Sequence, residues 1–137
     1  MEYAAGIVLF NPDTERLKEN ISAIAPQVRD VILVDNGSEN LTEITALTAE
    51  YSNITYVRND KNEGLARALN QIVDKAEELG VSWVLTLDQD TVCQPDIIER
   101  YDAMVRRAKD NVAIITSKYR DRSVEVDFGI SGEYEKV

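Results

Sequence analysis

Short, near-continuous apolar runs alternate along this chain with segments whose apolar residues recur every third or fourth position. The first run, YAAGIVLF (residues 3–10), reads as a strand buried on both faces. In NPDTERLKENISAIA, which follows, Leu17, Ile21 and Ile24 share one helical face, and Asn11 or Asp13 beside Pro12 supplies the cap. DVILVD (30–35) is a second strand, closed by the turn signal Asn36-Gly37-Ser38. Leu41, Ile44, Leu47 and Tyr51 predict a short helix over 41–51, and NITYV (53–57) a third strand. GLARALNQIVDKAEEL (64–79) places Leu65, Leu69, Ile72, Val73, Ala76 and Leu79 on one helical face, with Gly80 as the stop. A fourth strand spans 82–87. A helix runs from Pro95 to about Ala108, with Ile97, Ile98, Tyr101 and Val105 facing inward. NVAIITS (111–117) reads as a fifth strand. This alternation predicts an α/β fold, a mostly parallel sheet with helices on both faces. Past Ser117 only Val124 to Phe128 alternates, so one α/β domain over 1–117 and a C-terminal tail over 118–137 are expected.

Ligands of open parallel sheets bind beyond the carboxyl ends of the strands. Phe10-Asn11, Asp35-Asn36-Gly37-Ser38, Arg58-Asn59 and Asp88-Gln89-Asp90 all fall at such ends, so four strands deliver polar groups to one rim. Asp88 and Asp90, two apart on what reads as an extended segment, are expected to project together. Such a pair repels itself unless a cation or a shared proton lies between the oxygens. The loop RNDKNEG (58–64) adds Asn62 and two cations, Arg58 and Lys61, either of which would reach a phosphate. Gly64 there permits close approach of a ligand to a helix N-terminus. Plainer readings stand beside these: a turn and cap at 35–38, a cap at Asn62 and Gly64, packing for Trp83, and a half-buried spacer rather than an activated thiol at Cys93.

Composition narrows the chemistry. The 137 residues suffice for one domain burying about two-thirds of its unfolded surface. With 25 acidic against 15 basic residues, net charge −10 and no basic stripe, nucleic acid and anionic lipid are poor partners, and a small anionic substrate would need a bridging metal. No histidine is present, which removes Ser-His-Asp and Cys-His catalysis and His-ligated zinc and leaves carboxylates for acid-base and metal work. A single cysteine fits a reducing compartment. Neither a leader nor an apolar run of about 18 residues is visible, so a soluble, cytoplasmic protein without a transmembrane segment is expected. A hard cation, Mg²⁺ or Mn²⁺, suits the Asp88/Asp90 pair when phosphate oxygens complete its shell. It would neutralise a nucleoside diphosphate leaving a sugar, while Asp35 accepts a hydrogen bond from a pyrimidine base.

VDNGS, NEGLARALN and LDQD, in this order on successive βα units, resemble the nucleotide-sugar half of a family 2 glycosyltransferase of GT-A fold. GIVLFNPD with LDQD looks most like the bacterial rhamnosyltransferase branch. The resemblance runs from about Tyr3 to Ser117. It implies a base contact at Asp35-Asn36, nucleotide contacts at Asn62, Gly64 and Asn70, Asp88 toward the ribose or the metal, and Asp90 on Mg²⁺ or Mn²⁺. The family's Thr-Tyr-Asn at the first strand end is here Leu9-Phe10-Asn11, so a backbone contact to the base survives there and a hydroxyl contact does not. It also implies a nucleoside-diphosphate sugar as donor, dTDP-rhamnose being the candidate. The acceptor would be a glycan or lipid-linked polysaccharide, with peripheral attachment at the inner face of the cell membrane. The family's general base lies well downstream of the D-x-D, and residues 118–137 are too short to supply it with an acceptor region. A donor-binding part of a longer enzyme, or a degenerate short version, weakly active or inactive alone, is therefore expected, with uncovered apolar surface favouring a homo-oligomer. Two alternatives use the same residues. VLTLDQDTV also resembles the first motif of haloacid-dehalogenase-type phosphatases, with Asp88 as nucleophile and Asp90 as general acid, although the pair falls on the fourth strand with no second acidic pair after it. The other is a non-catalytic nucleotide-binding module.

Overall fold

The computed structural model describes residues 2–116. Strands β1 (Tyr3–Leu9), β2 (Asp30–Asp35), β3 (Ile54–Arg58) and β4 (Trp83–Leu87) alternate with helices α1 (Thr14–Ile24), α2 (Leu41–Thr48), α3 (Leu65–Glu78) and α4 (Ile97–Arg107), with a single 3₁₀ turn at Ala25–Gln27 after α1. The chain divides into two units, Met1–Ile98 and Glu99–Val137. The first holds the whole sheet; the described part of the second is the rest of α4 and irregular chain to residue 116.

The four strands pair in parallel in the order β3-β2-β1-β4. Alternate side chains of each strand serve opposite faces. Tyr3, Ala5, Ile7, Leu9, Val31 and Leu33 pack with Leu17, Ile21 and Ile24 of α1 and Ile44 and Leu47 of α2. Ala4, Ile32 and Val34 pack with Ala68, Ile72 and Ala76 of α3 on the other face. The α/β class and the two-sided helical cover are thus as expected. Because β4 pairs with the far side of β1, the direction of winding reverses between β1 and β4. That gap between strand ends is the topological switch point, where such sheets open a crevice.

Three expectations need correction. Of the α3 face expected to turn inward, Ile72 and Ala76 are buried and Leu69 and Leu79 pack partly buried against them, but Leu65 and Val73 are 63% and 49% exposed and Ala68 is buried in their stead. The reason lies below it: a Cβ on Gly6 would meet Ile72 Cγ2 at 2.4 Å, so the helix sits close on β1, with small Ala68 and Ala76 on either side of Ile72. The fifth strand does not form over 111–116, where Ile114 is 73% exposed; Ser117 and the stretch Val124 to Phe128 lie outside the described residues. The second helix stops at Thr48, and Tyr51 follows in a turn with its N–H on the Thr48 carbonyl. Among the described residues no helix is long and apolar enough to cross a membrane.

Candidate functional site at the strand ends

At the end of β2, Asp35 is fully buried and its carboxylate is occupied by the protein itself. Oδ1 accepts the Ser38 N–H at 2.9 Å; Oδ2 accepts the Tyr56 hydroxyl at 2.6 Å and Arg58 Nη1 at 2.5 Å. Burial alone would raise the Asp35 pKa, but the Ser38 hydroxyl, Tyr56, the Ser38 N–H and the Arg58 charge outweigh it and hold the group below the usual carboxylate range. Arg58 also gives Nη2 to the Ser38 carbonyl at 3.1 Å, so its guanidinium braces the β2 turn rather than standing free for a phosphate. Lys61, exposed in the next loop, has no such bond among the described residues. The Asp35 carboxylate, expected from sequence to accept a hydrogen bond from a pyrimidine base, thus has both oxygens engaged by the protein itself.

The neighbouring residues form a latch. Buried Asn36 accepts Asn59 Nδ2 at 2.9 Å and the Glu63 N–H at 3.2 Å on its Oδ1, and gives Nδ2 to the Gly64 carbonyl at 3.2 Å. Asn59 and Gln71 exchange two side-chain amide bonds of 2.8 Å. The loop between β3 and α3 is therefore hung from both β2 and α3. Gly37 (φ +84°) lies so close beneath it that a Cβ would stand 2.9 Å from Lys61 Cα. Gly64 (φ +88°) begins α3 with open space around it, so its backbone angle, rather than a close neighbour, asks for glycine. Asn62 turns its side-chain oxygen back onto the Gly64 N–H at 2.9 Å, a turn ahead of α3 rather than a helix cap, and Asn70 is exposed on α3. At the β1 end Asn11 adopts φ +44°, donates its N–H to Ser38 Oγ at 2.9 Å and accepts the Glu39 N–H at 2.8 Å; the cap of α1 is Asp13.

The carboxylate pair is built differently. β4 stops at Leu87, and residues 88–91 form a turn in which the Thr91 N–H meets the Asp88 carbonyl at 3.1 Å. The alternation expected to aim Asp88 and Asp90 together therefore does not extend through them. Instead their backbone is held from outside. Asn20 Nδ2 of α1 reaches the Asp88 carbonyl at 2.8 Å and Arg16 Nε the Asp90 carbonyl at 2.9 Å. Gln89 pairs with the backbone of Phe10 across the switch point, accepting its N–H at 2.9 Å and donating to its carbonyl at 3.3 Å. Both carboxylates are exposed and neither makes a hydrogen bond or an ion pair among the described residues. Asn20 is fully buried and its Oδ1 has no partner among the described residues, an omission that costs about 1–3 kcal/mol.

No group of three or more acidic, His or Cys side chains stands together as a complete metal cage among the described residues. Two free carboxylates are hard oxygen donors that suit Mg²⁺ or Mn²⁺ as part of a shell, with the balance coming from phosphate and water. Cys93 packs against the core, and burial pushes its thiol pKa up, as a spacer should behave. Trp83 packs there too.

Tyr56 and Asn20, which build the site, went unread in the sequence. Tyr56 stands two before Arg58 on one strand and shares its face, so alternation alone would have placed both beside Asp35. Asn20 interrupts the apolar stripe of α1, and a polar residue on a buried helix face signals a bond it must make. Gln89 was read as a rim residue, but nothing in the sequence signalled its bonds to the Phe10 backbone.

Compared with known protein families, the chain matches the model described as Glycosyl transferase family 2 over residues 5–132. Comparison with curated proteins gave no match.

Proposed function

The chain belongs to glycosyl transferase family 2, the glycosyltransferases of nucleotide-sugar donors, and from that premise we propose that the crevice between the β1 and β4 ends takes the diphosphate of the donor, with Asp90 and Asp88 sharing a divalent cation with it. The parallel sheet with helices on both faces is consistent with a GT-A, Rossmann-like fold. The observation that carries the site is a contrast between acids. Asp35 is spent on internal partners, whereas Asp88 and Asp90 stand exposed at the switch point with their oxygens unused. Carboxylates kept free on a fixed backbone are what a hard cation needs.

A bound Mg²⁺ or Mn²⁺ would supply charge neutralisation for the departing diphosphate. The protein's own contribution is to hold Asp88 toward the ribose or the metal shell and Asp90 toward the metal, and to offer the exposed cation of Lys61 beside the α3 N-terminus to a phosphate. The exposed face of Phe10 and the backbone of Asn11 border the donor on the β1 side, with Asn62, Gly64 and Asn70 opposite. Asp35 serves the base by exchange: Arg58, its side chain 32% exposed, is the partner able to swing away and yield its place on Oδ2 to a pyrimidine N–H. Asn36 supports that contact by fixing the loop. We take dTDP-rhamnose as the first donor to try and a glycan or lipid-linked acceptor as its counterpart.

Calorimetric titration of uridine and thymidine diphosphates with and without Mn²⁺ tests the proposal. Binding that needs the metal and is lost in Asp90→Asn is expected. Binding indifferent to metal and to Asp90→Asn would sink the site, and turnover of an aryl phosphate lost in Asp88→Asn would replace it with the phosphatase alternative.

A further inference from the structure

We propose that Asn20, together with Gln89 and Arg16, positions the Asp88–Asp90 turn for cation and diphosphate binding, an inference that rests on the reading of the crevice given above. The turn lies outside the strand ladder, so nothing in β4 itself fixes it. Side chains do so instead. The carbonyls of Asp88 and Asp90 are held by Asn20 and Arg16 of α1, and Gln89 between them grips both backbone groups of Phe10 at the end of β1. All these bonds fall on backbone, or on the side chain of Gln89, and none on a carboxylate. The two oxygen donors are thereby aimed without being consumed. A turn ordered in advance loses less freedom when a ligand binds than one that must be ordered by it.

Asn20 gives the clearest sign that this is a functional arrangement. Among the described residues only its amide N–H finds a partner; its oxygen is buried and unpaired. For the fold alone, a leucine of similar size would fill this position between Leu17, Ile21 and Ile24 without the orphaned oxygen. The Asp88 carbonyl would keep its bond from the Thr91 N–H. What asparagine adds is the hold on Asp88, and the stability it forgoes is a cost of the site rather than of the core.

The experiment compares Asn20→Leu, Gln89→Leu and Asp90→Asn with the parent chain by thermal unfolding and by Mn²⁺ titration followed by electron paramagnetic resonance in the presence of uridine or thymidine diphosphate. Asn20→Leu is expected to melt at the same or a higher temperature, yet bind Mn²⁺ with the diphosphate about tenfold more weakly, the lower end for groups that support metal ligands. Gln89→Leu, at the surface and independent of the core, is expected to weaken the same binding severalfold. Unchanged affinity in both leucine variants, with binding still lost in Asp90→Asn, overturns the inference and leaves the site standing. A lowered melting temperature in Asn20→Leu with unchanged affinity in Gln89→Leu assigns these residues to the fold alone and overturns it equally. Failure of the parent to bind, or full binding by Asp90→Asn, removes the reading of the crevice and this inference with it.

Discussion

The hydroxyl of Tyr56 donates to Oδ2 of Asp35 over 2.6 Å, tying the last turn of β2 to the strand beside it. Arg58, two residues further along β3, reaches the same oxygen. A buried carboxylate, a phenol and a guanidinium thus act as one charged joint between two strands, and the first two each leave a titration signature.

Burial, and then the bond to Asp35, push the Tyr56 phenol up to about 12. The folded chain therefore holds this proton more tightly than the unfolded chain, whose tyrosines ionise near 10. The stabilisation is complete below about 10 and is lost as pH rises through about 12. Phenolate absorbance should show one of the six tyrosines titrating last, and Tyr56→Phe should remove that step while costing about 1 kcal/mol at neutral pH. Simultaneous ionisation of all the tyrosines in the still-folded protein would contradict the joint.

Asp35 works in the opposite direction. Its folded pKa lies below the unfolded value of about 3.9, so its contribution is full above that value and disappears as pH falls through the folded one. Asp35→Asn should cost about 1–3 kcal/mol at neutral pH, with the difference from the parent narrowing below about pH 4. Urea unfolding at a series of pH values measures both. A gap that stays constant into acid would show that the charge is not what matters.

At Gly37 the left-handed backbone and the nearness of Lys61 act together. Gly37→Ala should cost about 1–3 kcal/mol through backbone strain alone and lift the loop after β3. Hydrogen exchange at the Glu63 and Gly64 N–H groups, which bond Asn36 and Asn62, should accelerate. Unaltered protection would mean that the loop is held without this contact.

Cys93 should alkylate more slowly at mildly alkaline pH than an exposed cysteine, because burial keeps its thiol protonated. Cys93→Ala should leave diphosphate binding as it was. Rapid labelling would return the residue to the list of reactive groups.

What sequence made legible depended on periodicity. β2, from Asp30 to Asp35, lies where its apolar run begins and ends, because a strand buried on both faces has no competing pattern. The inner face of α3 was misjudged at Leu65, Val73 and Ala68 because hydrophobicity counts leucine and valine above alanine, while the helix sits close over Gly6 with small Ala68 and Ala76 beside Ile72. The run 111–117 had strand composition, but composition supplies no neighbour to pair with. At the rim, the positions of Asp35, Asp88 and Asp90 were readable as strand ends. Their difference in availability was not, since it turns on partners such as Tyr56 and Asn20 that come from elements distant in the chain. The family resemblance was legible from motif order and is matched over residues 5–132.

Gly6 lies in the middle of β1, in the strand that runs to the rim, and no polar chemistry reaches it. Even so, it sets the height at which α3 rides over the sheet, and from α3 hang Gln71, Asn59 and the loop that ends at Gly64. A single methyl group at position 6 would meet Ile72 at 2.4 Å and act as a shim, pushing α3 and the loop hung from it outward while every residue of that loop stayed the same. The placement of Asn59 and Gln71 can therefore be altered from the floor of the sheet, by a residue that touches neither of them.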